Sequence, residues 1–155
     1  MRLATTLRIL GAPHLTIAEL SEARAVRLKG RVRSLRGETL ASPVDGRPCV
    51  AYRVAIGEAK RGWIYENYNR INFQIEDDTG SAVVDCGSLG IAGWGNLARR
   101  VRRVPVSLVA ELVPAAGPDA DLVLAESILC DGDPVWVYGA PRLEVDAAAS
   151  GSSGG

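Results

Sequence analysis

The sequence predicts a mainly β domain: a small antiparallel, partly open β-barrel (OB-like) or a sandwich of about seven strands, preceded by a short helix. Three observations predict it. Apolar and polar residues alternate at period two in several short stretches. Gly, Pro, Asn and Asp clusters separate those stretches. The stretches are short and broken by glycine, which favours a barrel.

The elements follow in order. Thr16-Ile17-Ala18-Glu19 matches a capping box and predicts a short helix over Ile17–Ala23. From Ala25, Val26, Leu28 and Val32 alternate with Arg27, Lys29, Arg31 and Arg33, a half-buried strand. Gly30 interrupts its apolar face, as at a bulge or a close backbone approach. Gly37, Pro43, Asp45-Gly46 and Pro48 punctuate the loop that follows. A second strand spans Cys49–Ile56. Gly57–Asn69 reads as a loop carrying Trp63, Tyr65 and Tyr68.

Arg70–Glu76 is the third strand. Asp77-Asp78-Thr79-Gly80 turns the chain, because Asp favours turn starts and Gly supplies positive φ. Ser81–Asp85 returns as the fourth strand. Gly87–Asn96 is a glycine-rich loop around Trp94, and Leu97–Val101 is read as one helical turn. Val104–Val113, Leu122–Leu129 and Val135–Tyr138 complete seven strands, with Leu143–Val145 a candidate eighth. Residues 1–146 form one domain. The tail, 147–155, is Ala, Ser and Gly alone and predicts a flexible segment.

Composition narrows the function. Eighteen basic residues match eighteen acidic ones, which argues against a globally basic nucleic-acid binder. The balance hides an asymmetry: residues 1–60 carry a net +6, residues 61–100 a net −1 and residues 101–155 a net −5. Cys49, Cys86 and Cys130 are far apart with no C-x-x-C pair, which gives no zinc or thioredoxin-like pattern and fits buried thiols in a reducing, cytoplasmic setting. No stretch approaches the roughly 18 apolar residues of a transmembrane helix.

Six groups of residues invite a functional reading. Glu76-Asp77-Asp78 with Asp131 and Asp133 is an oxygen-rich set, but without EF-hand spacing, so no metal is assigned and local capping of turns is favoured. His14, the single histidine, has no nucleophile motif near it. Gly87–Gly95 lacks both phosphate-loop and dinucleotide fingerprints, and no cofactor is expected. The basic ladder Arg27, Lys29, Arg31 and Arg33 is different, because period two puts all four on one strand face. It either meets nucleic-acid phosphates or anionic lipid, or is a solvated face paired with acids such as Glu144 and Asp146. Arg99, Arg100, Arg102 and Arg103 carry the same ambiguity. Trp63, Tyr65, Tyr68 and Trp94 are either recognition anchors or plugs of the barrel ends.

Four blocks also resemble a known family in their order and spacing. These are Leu28-Lys29-Gly30-Arg31-Val32, the run Ser42-Pro43-Val44-Asp45-Gly46-Arg47-Pro48-Cys49-Val50-Ala51-Tyr52, Phe73 to Gly80 with Val83-Val84-Asp85, and Gly132 to Gly139. The set is similar to the GIDE domain, or BAM ("beside a membrane") domain, of membrane-anchored mitochondrial E3 ubiquitin ligases and their bacterial and archaeal relatives. The resemblance spans roughly 24–139. It implies a mostly β, non-catalytic module that senses or binds a ligand or protein. The cysteine and histidine pairs of a RING are absent from the sequence, so ubiquitin-ligase activity does not carry over.

Two functions follow as expectations. The first is a non-enzymatic, GIDE-like module binding a protein or small ligand through its loops. The second is an OB-like binder of nucleic acid or an anionic membrane surface, using the basic strand.

Overall fold

The computed structural model describes residues 11–21, 25–87 and 100–142. Within them the chain runs through β1 (Val26–Ser34), β2 (Leu40–Ala41), β3 (Pro48–Cys49), β4 (Ala51–Glu58), β5 (Gly62–Arg70), β6 (Phe73–Asp77), β7 (Gly80–Val84), β8 (Arg100–Val104), a one-turn helix α1 (Val106–Val109), β9 (Leu122–Leu129) and β10 (Pro134–Gly139). These ten strands form three antiparallel sheets: β10-β1-β6-β7, β5-β4-β9-β8 and the small pair β2-β3. The mainly β expectation holds, and no closed barrel forms among the described residues.

Alternation on β1 does what period two requires. Val26, Leu28 and Val32 are buried, while Lys29 and Arg31 are exposed. Beneath the first sheet these side chains join Phe73, Ile75 and Val84 in one core, which Ala51 and Leu129 of the second sheet close together with Val50, the residue just before β4. A second core covers Tyr52, Val54, Ile56, Leu122 and Leu124 with Val109 and Val113 from α1 and the turns after it. Thus the two larger sheets are joined at one end of β4 and β9, and each has its own apolar filling.

Gly30 sits where β1 changes partner, from β10 to β6. A Cβ there would lie 2.4 Å from the Glu76 carbonyl oxygen and 2.7 Å from Ile75 Cγ1. The break in the apolar face is therefore a close backbone approach.

Four elements differ from the sequence reading. The predicted helix Ile17–Ala23 is a single 3-10 turn, Ile17–Glu19. Its amides are drawn into tertiary bonds: Ile17 N–H donates to Asp77 Oδ2 (2.9 Å) and Ala18 N–H to Thr79 Oγ1 (3.0 Å). Within the stretch read as the loop Gly57–Asn69, residues 62–69 belong to β5, and only a tight turn separates β4 from β5, with Gly62 at φ 73°. Part of the stretch read as the strand Val104–Val113 is α1, begun after Pro105, with Val109 and Val113 buried on one side. Finally, residues 100 and 101, read as the end of a helical turn, open strand β8. The remainder of that predicted turn and the candidate strand Leu143–Val145 lie outside the described residues.

Candidate functional site

The basic ladder is where period two put it. Arg27, Lys29, Arg31 and Arg33 share the face of β1 opposite the core, and β10 pairs alongside with Tyr138 opposite Arg27, Trp136 opposite Lys29 and Pro134 opposite Arg31. On the other side, Glu76 of β6 stands opposite Arg31 and Gln74 opposite Arg33. Arg33 is the cation held by acids: its guanidinium lies 3.6 Å from Glu76 and 3.7 Å from Asp131. Arg27 and Arg31 are pinned by neutral acceptors instead, Arg27 Nε on the Ala12 carbonyl (2.9 Å) and Arg31 on the Gly132 carbonyl (3.0 Å). The Lys29 ammonium lies 5.6 Å from the centre of the Trp136 ring, a cation–π distance. The His14 ring packs on the same indole, with centroids 5.0 Å apart. Among the described residues no carboxylate forms an ion pair with Arg27, Lys29 or Arg31. Glu144 and Asp146 lie outside them.

The aromatics expected in loops are on β5. Trp63 and Tyr68 are 57% and 67% exposed, far too open to plug a core. A bulge between Ile56 and Gly57 resets the register, so Trp63 stands opposite Gly57 and Tyr68 opposite Arg53, on one face of the second sheet. The indole lies directly over the glycine, and a Cβ on Gly57 would come within 3.2 Å of Trp63 Cε3. Between Trp63 and Tyr68, Glu66 faces Ala55 and accepts a 2.8 Å hydrogen bond from Arg53. Across β9, Ala125 continues the small-residue floor to Val101 on β8, which is 59% exposed. Tyr65 points the other way, towards the second core, where its hydroxyl accepts from Asn67 (3.1 Å). It packs instead of joining Trp63 and Tyr68. Trp94 lies outside the described residues.

The remaining candidates serve the scaffold. Asp77 Oδ1 accepts from Thr79 N–H (2.7 Å), the Thr79 hydroxyl (2.6 Å) and Gly80 N–H (3.1 Å), and the Thr79 hydroxyl is the first cause that holds this carboxyl below its ordinary pKa. Asp131 accepts from Ser34 N–H (2.6 Å) and Asp133 from Cys130 N–H (2.8 Å). Among the described residues no three His, Cys, Asp or Glu side chains are grouped to hold a metal ion. Burial pushes the Cys49 thiol up to about 11, and raises Cys86 and Cys130 in the same direction. A cavity of about 160 Å³ between Arg61, Ile64 and residues 112–116 falls short of the roughly 300–1,000 Å³ of a typical small-molecule pocket. On the second arginine cluster, Arg102 and Arg103 are adjacent on a strand and so take opposite faces, and Arg103 pairs with Asp121 at 3.6 Å.

Sequence reasoning missed Trp136 and Tyr138 as site residues. Their alternation with Val135 and Val137 already placed them on a common strand face. What the sequence lacked was the long-range pairing of β10 with β1. No helix among the described residues is long and apolar enough to cross a membrane. Comparison with known proteins finds no matching family model, characterised protein or solved structure.

Proposed function

We propose that the chain is a non-catalytic, GIDE-like binding module that docks a protein partner on the face of its second sheet. The exposure of Trp63 and Tyr68 on one face carries this reading. Large aromatics stay open to solvent at a cost in hydration, and Trp and Tyr concentrate binding energy at interfaces. Here they flank a floor of Gly57, Ala55 and Ala125, with Val101 at the far rim and the Arg53–Glu66 pair on the same face. Small residues between large ones give a surface relief that a partner's side chains can fill, and the ion pair adds directional polar contacts. Trp63 and Tyr68 are held by a nine-residue strand, so little ordering cost remains to be met on binding.

The test is affinity capture from native lysate with wild type and with the W63A/Y68A double variant, quantified by mass spectrometry. The captured partner is then titrated against both proteins. Truncating two anchors is expected to weaken binding at least tenfold, from the roughly 2 kcal/mol that a hot-spot residue contributes. Equal capture by a correctly folded double variant overturns the proposal.

A further inference from the structure

We propose that the face of the first sheet carrying Arg27, Lys29 and Arg31 binds single-stranded nucleic acid, with phosphates on the cations and bases against Trp136 and Tyr138. This site is on a different sheet from Trp63 and Tyr68 and does not rest on the protein-docking reading.

Spacing is the first argument. Alternate residues of a strand recur about every 6.7 Å, so the three cations form a row of about 13 Å. A straight row of single charges suits a polyanion with one charge per monomer. A compact free phosphate needs donors that converge on one point, and these diverge along a strand. Arg33 drops out of the row because Glu76 and Asp131 already hold it.

The second argument is what flanks the row. Pairing with β10 sets Tyr138 beside Arg27 and Trp136 beside Lys29. Cations that follow a phosphate backbone next to aromatic rings are the usual means of gripping single strands without regard to sequence. Lys29 and His14 both pack on the indole, and the Arg27 and Arg31 guanidiniums are anchored on backbone carbonyls, so the surface is preorganised. An anionic bilayer would favour apolar side chains that project beyond the cations. Trp136, 37% exposed, is open enough to meet a base but has the Lys29 ammonium 5.6 Å from its ring centre, so it lies beside the cations and does not stand beyond them.

The test measures fluorescence anisotropy of a dye-labelled oligothymidylate of about 10 nucleotides against salt concentration. Three phosphate contacts predict a slope of log K against log salt of about −2 for a single strand. K29E and the K29E/R31E double variant are expected to weaken binding at least tenfold, whereas R33A changes it less than about threefold. The single variant guards against misfolding, because Lys29 is exposed and Arg31 is bonded to the Gly132 carbonyl. Absence of binding at low salt, a flat salt dependence, or K29E behaving as wild type overturns the proposal. Binding to phosphatidylserine vesicles without binding to the oligonucleotide overturns it too.

Discussion

Replacing Gly30 by alanine tests the account of the first sheet most directly. The new Cβ would sit 2.4 Å from the Glu76 carbonyl oxygen and 2.7 Å from Ile75 Cγ1. Ordinary van der Waals contact begins near 3.4 Å, so the backbone of β6 or β1 must move by most of an ångström. The carbonyl is backbone in a paired strand and cannot rotate away as a side-chain tip would. Ile75 is fully buried and has no free space into which to retreat. Overpacking of this kind costs about 1–3 kcal/mol. Opposing it, alanine restricts the unfolded chain and returns about 0.4–1 kcal/mol. The clash wins, leaving G30A less stable by about 1–2 kcal/mol, or a Tm lower by about 2–8 °C in a chain of this size. Urea titration followed by tryptophan fluorescence measures it. Gly117→Ala is the control, since a Cβ there meets nothing within 4 Å and the backbone is not left-handed. If G30A matches wild type or exceeds it, β1 and β6 are not as close as described and the crossing of the first sheet is wrong.

Two further outcomes concern pH. Asp77 is held below its ordinary pKa first by the Thr79 hydroxyl, so its contribution is present above the unfolded carboxylate pKa and is lost as pH falls through the lower folded value. D77N is expected to flatten the acid limb of a urea-midpoint profile, and an unchanged limb refutes the capping role. Cys49 runs in the opposite sense: with a thiol pKa raised by burial from 9.0 to about 11, the unfolded chain ionises first as pH rises. Stability then falls between pH 9 and 11, by at most about 3 kcal/mol, and Cys49 resists alkylation at pH 8 in the folded protein. Mass-spectrometric footprinting with iodoacetamide reads that resistance, and rapid native labelling of Cys49 contradicts its burial.

The legible parts of the fold were those in which one face is buried and the other wet. On β1, β6, β7 and β9 the chain alternates or runs apolar between turn residues, and the aspartates of Asp77–Gly80 and Asp131–Asp133 carry recognisable turn chemistry, although Gly80 does not take the positive φ expected of it. Strand β5 gave no such signal. It is an edge strand, with Tyr65, Asn67 and Asn69 on one face and Trp63, Glu66 and Tyr68 on the other, so neither face is uniformly apolar. The bulge beside Gly57 also breaks its period. Around α1, valines at 104, 106, 109 and 113 fit a strand as readily as a turn of helix, and packing on the second core decides between them. The ladder itself was legible from period two, whereas its surroundings depended on which strand lay beside it.

That neighbour answers the question posed by the charge asymmetry. The basic first third and acidic last third of the sequence do pair, through β1 and β10. A simple electrostatic match would have put carboxylates on β10 opposite the arginines, as β6 puts Glu76 opposite Arg31 on the other side. Instead, β10 sets Pro134, Trp136 and Tyr138 there, and the acidic residues of the preceding turn are spent elsewhere: Asp133 on the Cys130 amide, Asp131 on Ser34 and Arg33. Aromatic neighbours shield the cations' stems from water without cancelling their charge. Neutralising Arg27, Lys29 and Arg31 would have needed only acidic residues at the outward positions of β10, a change the strand's geometry permits. The proposed single-strand site rests on this: β1 orders three cations without pairing them to acids, although zero net charge and the pairing of the basic and acidic thirds would suggest mutual neutralisation.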